Sequence, residues 1–474
     1  MPSALLSRHT LSHRVIRDPA VSPAIFAFLL FYVSDVGPRL FNAIVRALRS
    51  HDRLRQLPSV TKHILLTAFS LSELPLFWAL LFGSSVSARR LIEAAIIQTG
   101  GLKQRRRYHG LTSFLGAAVA SSIVMRWHQR RVRKSAAIKE IESVIDEKLD
   151  SHDRSRTIDT TLFTVTAAVD YLFRREVLNR SRLAITESSY DIMSFVASCA
   201  IVMYAWFYKP ERLPKSYNTW ITRYADLDTH LLEMLRMAQN HTFAYGVDNG
   251  ISEMMEPMCK KIGVPREYGD PSVSIPLPCV LIHENMATNC EMHAVLRFWK
   301  SFKGAMLIYL PLNLILRLRS TKSASSIMQR LLLVLRSSAR SSSFLGLFVT
   351  LTWYGVCLTR SRLGPWFFPK AKPITWDNTL GPALGCLLCG WSVLLEVPQR
   401  RGELALFVSP RALGALLPLD FDRTYEWAER AIFSVSFAIL FSAASTARMN
   451  RLIGRQDRLR LRGMMGYAIT TVMR

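Results

Sequence analysis

The stretch Pro276–Arg319, PLPCVLIHENMATNCEMHAVLRFWKSFKGAMLIYLPLNLILRLR, joins two kinds of sequence without a break. Its first half sets Cys279, His283, Cys290 and His293 in a short polar elbow, and its second half is an apolar run ending at Leu316. A compact group of thiols and imidazoles therefore stands at the mouth of a segment that reads as membrane-embedded. The same alternation of apolar block and charged loop recurs along the chain.

Half of the 474 residues are hydrophobic and the mean hydropathy is +0.15, although 20% are charged. Those figures are compatible only when the two kinds are segregated, and the expected fold class is all-α, a polytopic helical membrane protein. The net charge of +26 does not point to nucleic acid. Its basic residues (Arg89 and Arg90, Arg105–Arg107, Arg130–Lys134, Arg400 and Arg401) sit beside apolar blocks, where they snorkel to lipid phosphates, and no nucleic-acid motif accompanies them. Membrane lipids are the expected partners, with organelle membrane proteins or a second copy of the chain as further ones.

Taken in order, a basic N-terminal region (1–60) carries a short apolar helix, Val21–Val33, broken by Pro23. The opening, with Arg8, Arg14, Arg17 and no acid before Asp18, has the composition of a mitochondrial presequence but is better read as the basic flank of that helix. A first membrane repeat (61–208) holds Ile64–Val86, with Glu73 and Pro75 in its middle, then the small-residue block Leu111–Met125, then Asp159–Phe173 and Tyr190–Phe207. An acid at mid-span faces a bundle interior or cavity, so Glu73 is a candidate buried polar group, hydrogen-bonded to a neighbour or serving transport. The charged loop from Trp127 to Arg156 reads as a surface helix. A polar central hinge (209–300) opens with one amphipathic helix whose apolar 3-4 spacing runs through Trp220, Ile221, Tyr224, Leu227, Leu231, Leu232 and Leu235, and ends in the elbow. A second membrane repeat (301–448) contains Ala305–Leu316, Phe344–Leu358, Leu380–Leu395, Glu403–Leu417 and Ala431–Ala444, and a basic tail (449–474) follows. Roughly eight to ten helices are expected to touch the membrane.

The blocks before the elbow recur after it in the same order. Ser113–Trp127 parallels Ala383–Val397, Asp159–Phe173 parallels Glu403–Leu417, and Glu187–Phe207 parallels Tyr425–Ser445; upstream, the Ile64–Arg90 region parallels Ser341–Arg362. A duplicated four-helix unit is expected, the outline of many carriers and also of scaffolds.

Three segments resemble the transmembrane protein 135 family, in particular its fungal-type members: AIVMYAWFYKPERLPKSYNTWI (Ala200–Ile221), the stretch Ile275–Leu316, and GWSVLLEVPQRRGELALFVSPRAL (Gly390–Leu413). The most specific part is the elbow with the YLPLNL helix after it. The resemblance implies a multi-pass protein of peroxisomal or mitochondrial membranes linked to lipid handling and organelle dynamics. A more distant similarity is to the four-helix translocase subunits of the mitochondrial inner membrane; this chain lacks their glycine runs, GPALG (Gly381–Gly385) coming nearest.

The elbow spacing is C-x3-H-x6-C-x2-H. Thiolates and imidazoles suit zinc, and so short a loop can fold back to close a tetrahedral site. Three readings stay open: zinc held by Cys279, His283, Cys290 and His293, with Cys259 as a further thiol; a Cys279–Cys290 disulfide or redox pair; and an unligated turn whose histidines cap the next helix. Cys199, Cys357, Cys386 and Cys389 fall in apolar blocks and read as small hydrophobes, and His51, His63, His109 and His128 read as interfacial. Without a P-loop, a nucleotide fingerprint, H-E-x-x-H or G-x-S-x-G, no catalytic residue or organic cofactor is expected. The functional expectation is a non-catalytic role in lipid-related transport or membrane organisation. The alternatives are a secondary carrier with a cavity between repeats, and a membrane-bound metal- or thiol-dependent enzyme using the elbow.

Overall fold

The computed structural model describes residues 21–47, 51–67, 69, 73–143, 156–178, 186–225, 227–318, 327–417, 425–452 and 461–472. Every regular element among them is helical. The basic opening segment and the end of the charged loop, residues 144–155, lie outside the described residues.

In chain order the longer helices are α1 (Val21–Ala47), α2 (His51–Thr67), α3 (Leu74–Ser143), α4 (Arg156–Phe173), α5 (Glu187–Tyr208), α6 (Lys215–Ala225) and α7 (Thr229–Gln239). They continue as α8 (Ile251–Ile262), α9 (Cys290–Leu318), α10 (Ile327–Cys357), α11 (Gly381–Cys389), α12 (Pro398–Leu416), α13 (Glu426–Leu452) and α14 (Gly463–Val472). Six stretches of the described residues are long and apolar enough to cross a membrane: Val21–Phe41, Tyr108–Lys134, Glu187–Tyr208, Ile327–Phe367, Pro373–Leu395 and Glu426–Arg448. Within the second of these, Leu111, Leu115, Val119 and Ile123 form an exposed apolar stripe at four-residue spacing, while Ser113, Ala117, Ser121 and Val124 are buried. A stripe of that kind is matched by lipid rather than water, and the chain is a multi-pass helical membrane protein.

Several expectations change at this level. The first apolar helix is longer than its sequence block, because Pro23 falls in the first turn, where proline is tolerated, and α1 runs on through Pro38. The block Ile64–Val86 is not one span: α2 ends at Thr67 and α3 begins at Leu74, with Pro75 in its first turn. Glu73 therefore lies at a helix start rather than at mid-span. There it pairs with Arg39 at 3.2 Å, and Arg39 also meets Asp35 at 2.9 Å. The single amphipathic helix expected in the hinge is two, α6 and α7, since Asp228 accepts the His230 N–H and caps the second. Asp159–Phe173, Ala305–Leu316 and Glu403–Leu417 lie in helices too charged or too briefly apolar to count among the six.

The chain forms two compact units, residues 1–183 with 420–474 and residues 184–419. These divisions by contact differ from the composition-based segments above. In the first unit, helical bonding runs through all of α3, yet α3 folds back on itself. On a straight helix Glu93 and His109 would stand about 24 Å apart, whereas their side chains meet at 2.8 Å. A Cβ on Gly116 would lie 2.7 Å from the Arg89 backbone nitrogen, so the absence of a side chain there lets the arms touch. Gly100-Gly101 falls between them, a pair at which helices bend.

Helix α13 packs on α3 and α4. Phe433, Phe437 and Phe441, one face of α13, meet Phe77, Trp78, Phe82 and Met125 in the core. Two buried polar groups fix the same contact: Ser445 accepts from Arg89 Nη1 at 2.8 Å and from Ser113 Oγ at 3.0 Å, and Glu429 accepts from Gln129 Nε2 at 2.9 Å and Thr161 Oγ1 at 3.2 Å. His109 and His128, read from sequence as interfacial, are both buried. His109 joins the network through Ser445 at 3.0 Å, and His128 lies against the Phe77 ring at 4.5 Å.

In the second unit α5 packs on α11 and α12, and α10 packs on α9 and α11. The α10–α11 crossing has Gly355 against the Gly385 backbone, and a Cβ on Gly385 would collide with the Thr352 carbonyl. Gly385→Val should therefore destabilise the fold by about 1–3 kcal/mol through overpacking, while Gly304→Ala on α9, with nothing within 4 Å of its Cβ position, should melt like the parent. Thermal unfolding in detergent micelles checks this; equal midpoints for all three proteins would contradict the helix crossing.

Candidate functional site

The elbow begins with a single helical turn, Cys279–Ile282, and His283 closes it. Glu284 and Asn285 then adopt left-handed backbone, φ 51° and 56°, which is unusual for two consecutive non-glycine residues. Their side chains hold them there. Glu284 accepts the Asp228 N–H at 2.9 Å with one oxygen and pairs with Arg297 at 2.7 Å with the other, while Asn285 Nδ2 donates to the Ile262 carbonyl at 2.8 Å. The reversal delivers the chain to Cys290, the first residue of α9.

Arg297, one turn further along α9 from His293, is 1% exposed. Besides Glu284, its guanidinium lies 4.3 Å over the Trp353 ring and donates to the Ala225 carbonyl at 3.4 Å and, through Nε, to His293 Nε2 at 3.2 Å. A buried cation with a carboxylate, a ring face and a carbonyl around it is satisfied on every side. His293 is thereby assigned an acceptor Nε2. Burial, and then the neighbouring His283 and Arg297, push its pKa down to about 3, so it stays neutral. His283 stacks on it at 4.2 Å. Burial likewise lowers the His283 pKa, partly offset by its bond to the Ala287 carbonyl.

The elbow residues fall into two groups that share His283, and a fifth residue joins the second. Cys279, His283 and Cys290 place their ligand atoms within 4.8 Å of one another, and so do His283, His293 and Cys357. Cys357 ends α10 and lies 3.4 Å from His283 Nε2. Local spacing could not have found it, because it comes from another helix and reads as one more apolar-block thiol. Cys279 is half-buried, with Sγ 3.1 Å from Ser361 Oγ, and every cysteine is free. Cys259 is buried on α8 outside both groups, and Cys386 and Cys389 sit in the apolar core. Glu73 belongs to the first unit and plays no part here.

Leu277, Ile282 and Val356, close in sequence to Cys279, His283 and Cys357, line an apolar cavity of about 510 Å³. Phe195, Cys199, Trp206, Leu231, Phe348 and Val408 are among the apolar groups around it; Arg360 and Asp377 provide charge. Both of these lie on π-helical turns, Leu358–Leu363 and Trp376–Leu380, a distortion that often re-aims side chains at functional sites. Arg360 Nε meets Asp377 Oδ1 at 2.7 Å, Tyr245 Oη donates to Asp377 Oδ2, and Arg360 Nη2 donates to the Leu277 carbonyl, while Nη1 has no hydrogen-bond partner. The arrangement is a mostly greasy chamber with one polar corner, sized for a small organic or lipid ligand.

The first unit holds a second arrangement that no motif announced. Glu93, His109 and Ser445 are linked in series at 2.8 and 3.0 Å, the order of a hydrolase triad. Ser445 is 1% exposed and enclosed by α3 and α13, and the series acts as interhelical glue. Compared with family models, curated proteins and solved structures, the chain matches none of them.

Removing the buried Arg297 guanidinium, as in Arg297→Leu, strands Glu284 and should cost about 3–5 kcal/mol. Arg362→Leu, which breaks the exposed pair to Glu291 at 2.8 Å, should cost about 1 kcal/mol or less. Denaturant or thermal unfolding of the two variants in one detergent measures the contrast; equal losses would show that Arg297 is not the anchor of the elbow.

Proposed function

We propose that the chain is a peroxisomal or mitochondrial membrane protein that takes a lipid acyl or sterol group into the cavity of its second unit, in a non-catalytic role in lipid transport or membrane organisation. The observation that carries this reading is the apolar chamber with one polar corner, where Arg360 and Asp377 stand in a lining that otherwise accepts hydrocarbon. The resemblance to the transmembrane protein 135 family points the same way and supplies the organelle. A non-catalytic role is favoured because His283 and His293 are fully buried and held by their own partners.

A carrier is the second reading, and the packing of the helices favours it. In the proposed duplication, α5 and α13 are equivalent final helices. α13 packs on α3 and α4, and α5 packs on α11 and α12, the counterparts of α3's second arm and of α4. On that proposal each final helix completes the other repeat's bundle, and each bundle has a glycine where its first two helices cross, Gly116 in one and Gly385 in the other. Two copies of one unit that exchange a helix are a natural basis for alternating access.

The test is a photoreactive long-chain fatty acid presented to the full-length protein in liposomes, with the crosslinked peptide located by mass spectrometry. Crosslinks on cavity residues are expected, and filling the chamber with Val349→Trp or, separately, Leu404→Phe should weaken labelling about tenfold or more, the thermal midpoint of each variant separating a filled cavity from a lost fold. Flux of a labelled acyl cargo would select the carrier, and binding without flux the organising role. Labelling that ignores both substitutions, or that falls only on outer helix faces, would sink the lipid reading.

A further inference from the structure

We propose that Cys279, His283, Cys290 and Cys357 form a closed tetrahedral zinc site that fastens the elbow to the end of α10, and that His293 is not one of its ligands. The site is independent of what occupies the cavity.

The geometry is that of a thiolate-rich site. The ligand atoms of Cys279, His283 and Cys290 lie within 4.8 Å of one another, and Cys357 lies within the same distance of His283. With Zn–S and Zn–N bonds of about 2.3 and 2.05 Å, the N···S edge of a tetrahedron is about 3.6 Å; His283 Nε2 and Cys357 Sγ stand 3.4 Å apart. Three soft sulfurs and one imidazole select zinc over magnesium or calcium.

The surroundings assign the histidines. His283 Nδ1 lies 2.9 Å from the Ala287 carbonyl, so it carries the proton and leaves the Nε2 lone pair facing the thiols, the second-layer arrangement typical of a metal-bound imidazole. His293 has the opposite situation, because its Nε2 lone pair is already used by the Arg297 N–H. Cys357, absent from the local C-x3-H-x6-C-x2-H pattern, takes the place that His293 holds in that pattern. Cys290 begins α9, and the buried Arg297 lies two turns further along the same helix. A set of three thiolates, a neutral imidazole and Zn²⁺ carries one net negative charge. Binding releases three thiol protons to solvent and involves no change of oxidation state. All four coordination positions are filled by protein, so the ion serves as a structural clamp rather than as a Lewis acid.

The experiment uses untagged full-length protein in detergent. Elemental analysis should find about one zinc per chain, and replacement by Co²⁺ should give the thiolate-to-cobalt absorption of a three-sulfur, one-nitrogen site. Three cysteines should resist alkylation until a chelator is added, a readout that needs no variant. His293→Gln should keep the metal and the cobalt spectrum, while Cys357→Ser should lower affinity at least about tenfold and leave a two-thiolate spectrum. Metal-free protein that shows no cobalt bands, a Cys279–Cys290 disulfide in peptide maps, or loss of metal in His293→Gln with retention in Cys357→Ser would each overturn the proposal.

Discussion

A guanidinium removed from water must find its partners inside the protein, and the second unit is shaped by two that do. Arg297 gathers Glu284, Trp353, His293 and the Ala225 carbonyl around one charge, and Arg360 gathers Asp377 and the Leu277 carbonyl around another. Because an isolated ion in a low-dielectric interior is so costly, each cation dictates where its neighbours go. The left-handed Glu284 follows from the first demand, and the polar corner of the cavity follows from the second. The elbow and the chamber are thus positioned by neighbouring solutions to one electrostatic problem.

Helix association in the first unit obeys a related rule with smaller groups. Where lipid surrounds a bundle, hydrophobicity gives helices little reason to prefer each other, and close approach and hydrogen bonding must supply it. The serine and threonine residues that look unremarkable in α3, α4 and α13 contribute Ser113, Ser445 and Thr161 to buried bonds between helices, and Gly116 lets the arms of α3 touch. Polar groups and small groups at these contacts do what a leucine core does in water.

Helical class and the strongest apolar blocks were legible because apolar runs and basic loops are set by composition over many residues. What one sequence segment could not show was anything that depends on a partner from elsewhere. Glu73 looked like a charge at mid-span because the apolar letters on either side run together, whereas Pro75 starts a new helix and Arg39 arrives from α1. His109 and His128 looked interfacial from their basic neighbours, yet they face inward. The elbow was visible from four residues at close spacing; its fifth member, Cys357, comes from the end of a different helix. Asp228 ended the amphipathic run at a point that the apolar periodicity passes straight through.

Helix α13 of the first unit is separated from α1 to α4 by the whole of the second unit. During synthesis the ribosome must release α1 to α4, then thread every helix of the other bundle, before the partner of Ser113 and Thr161 emerges. Until then the nascent unit lacks these interhelical bonds, and its aromatic groove waits for Phe433, Phe437 and Phe441. A protein wired in this way completes its first half last.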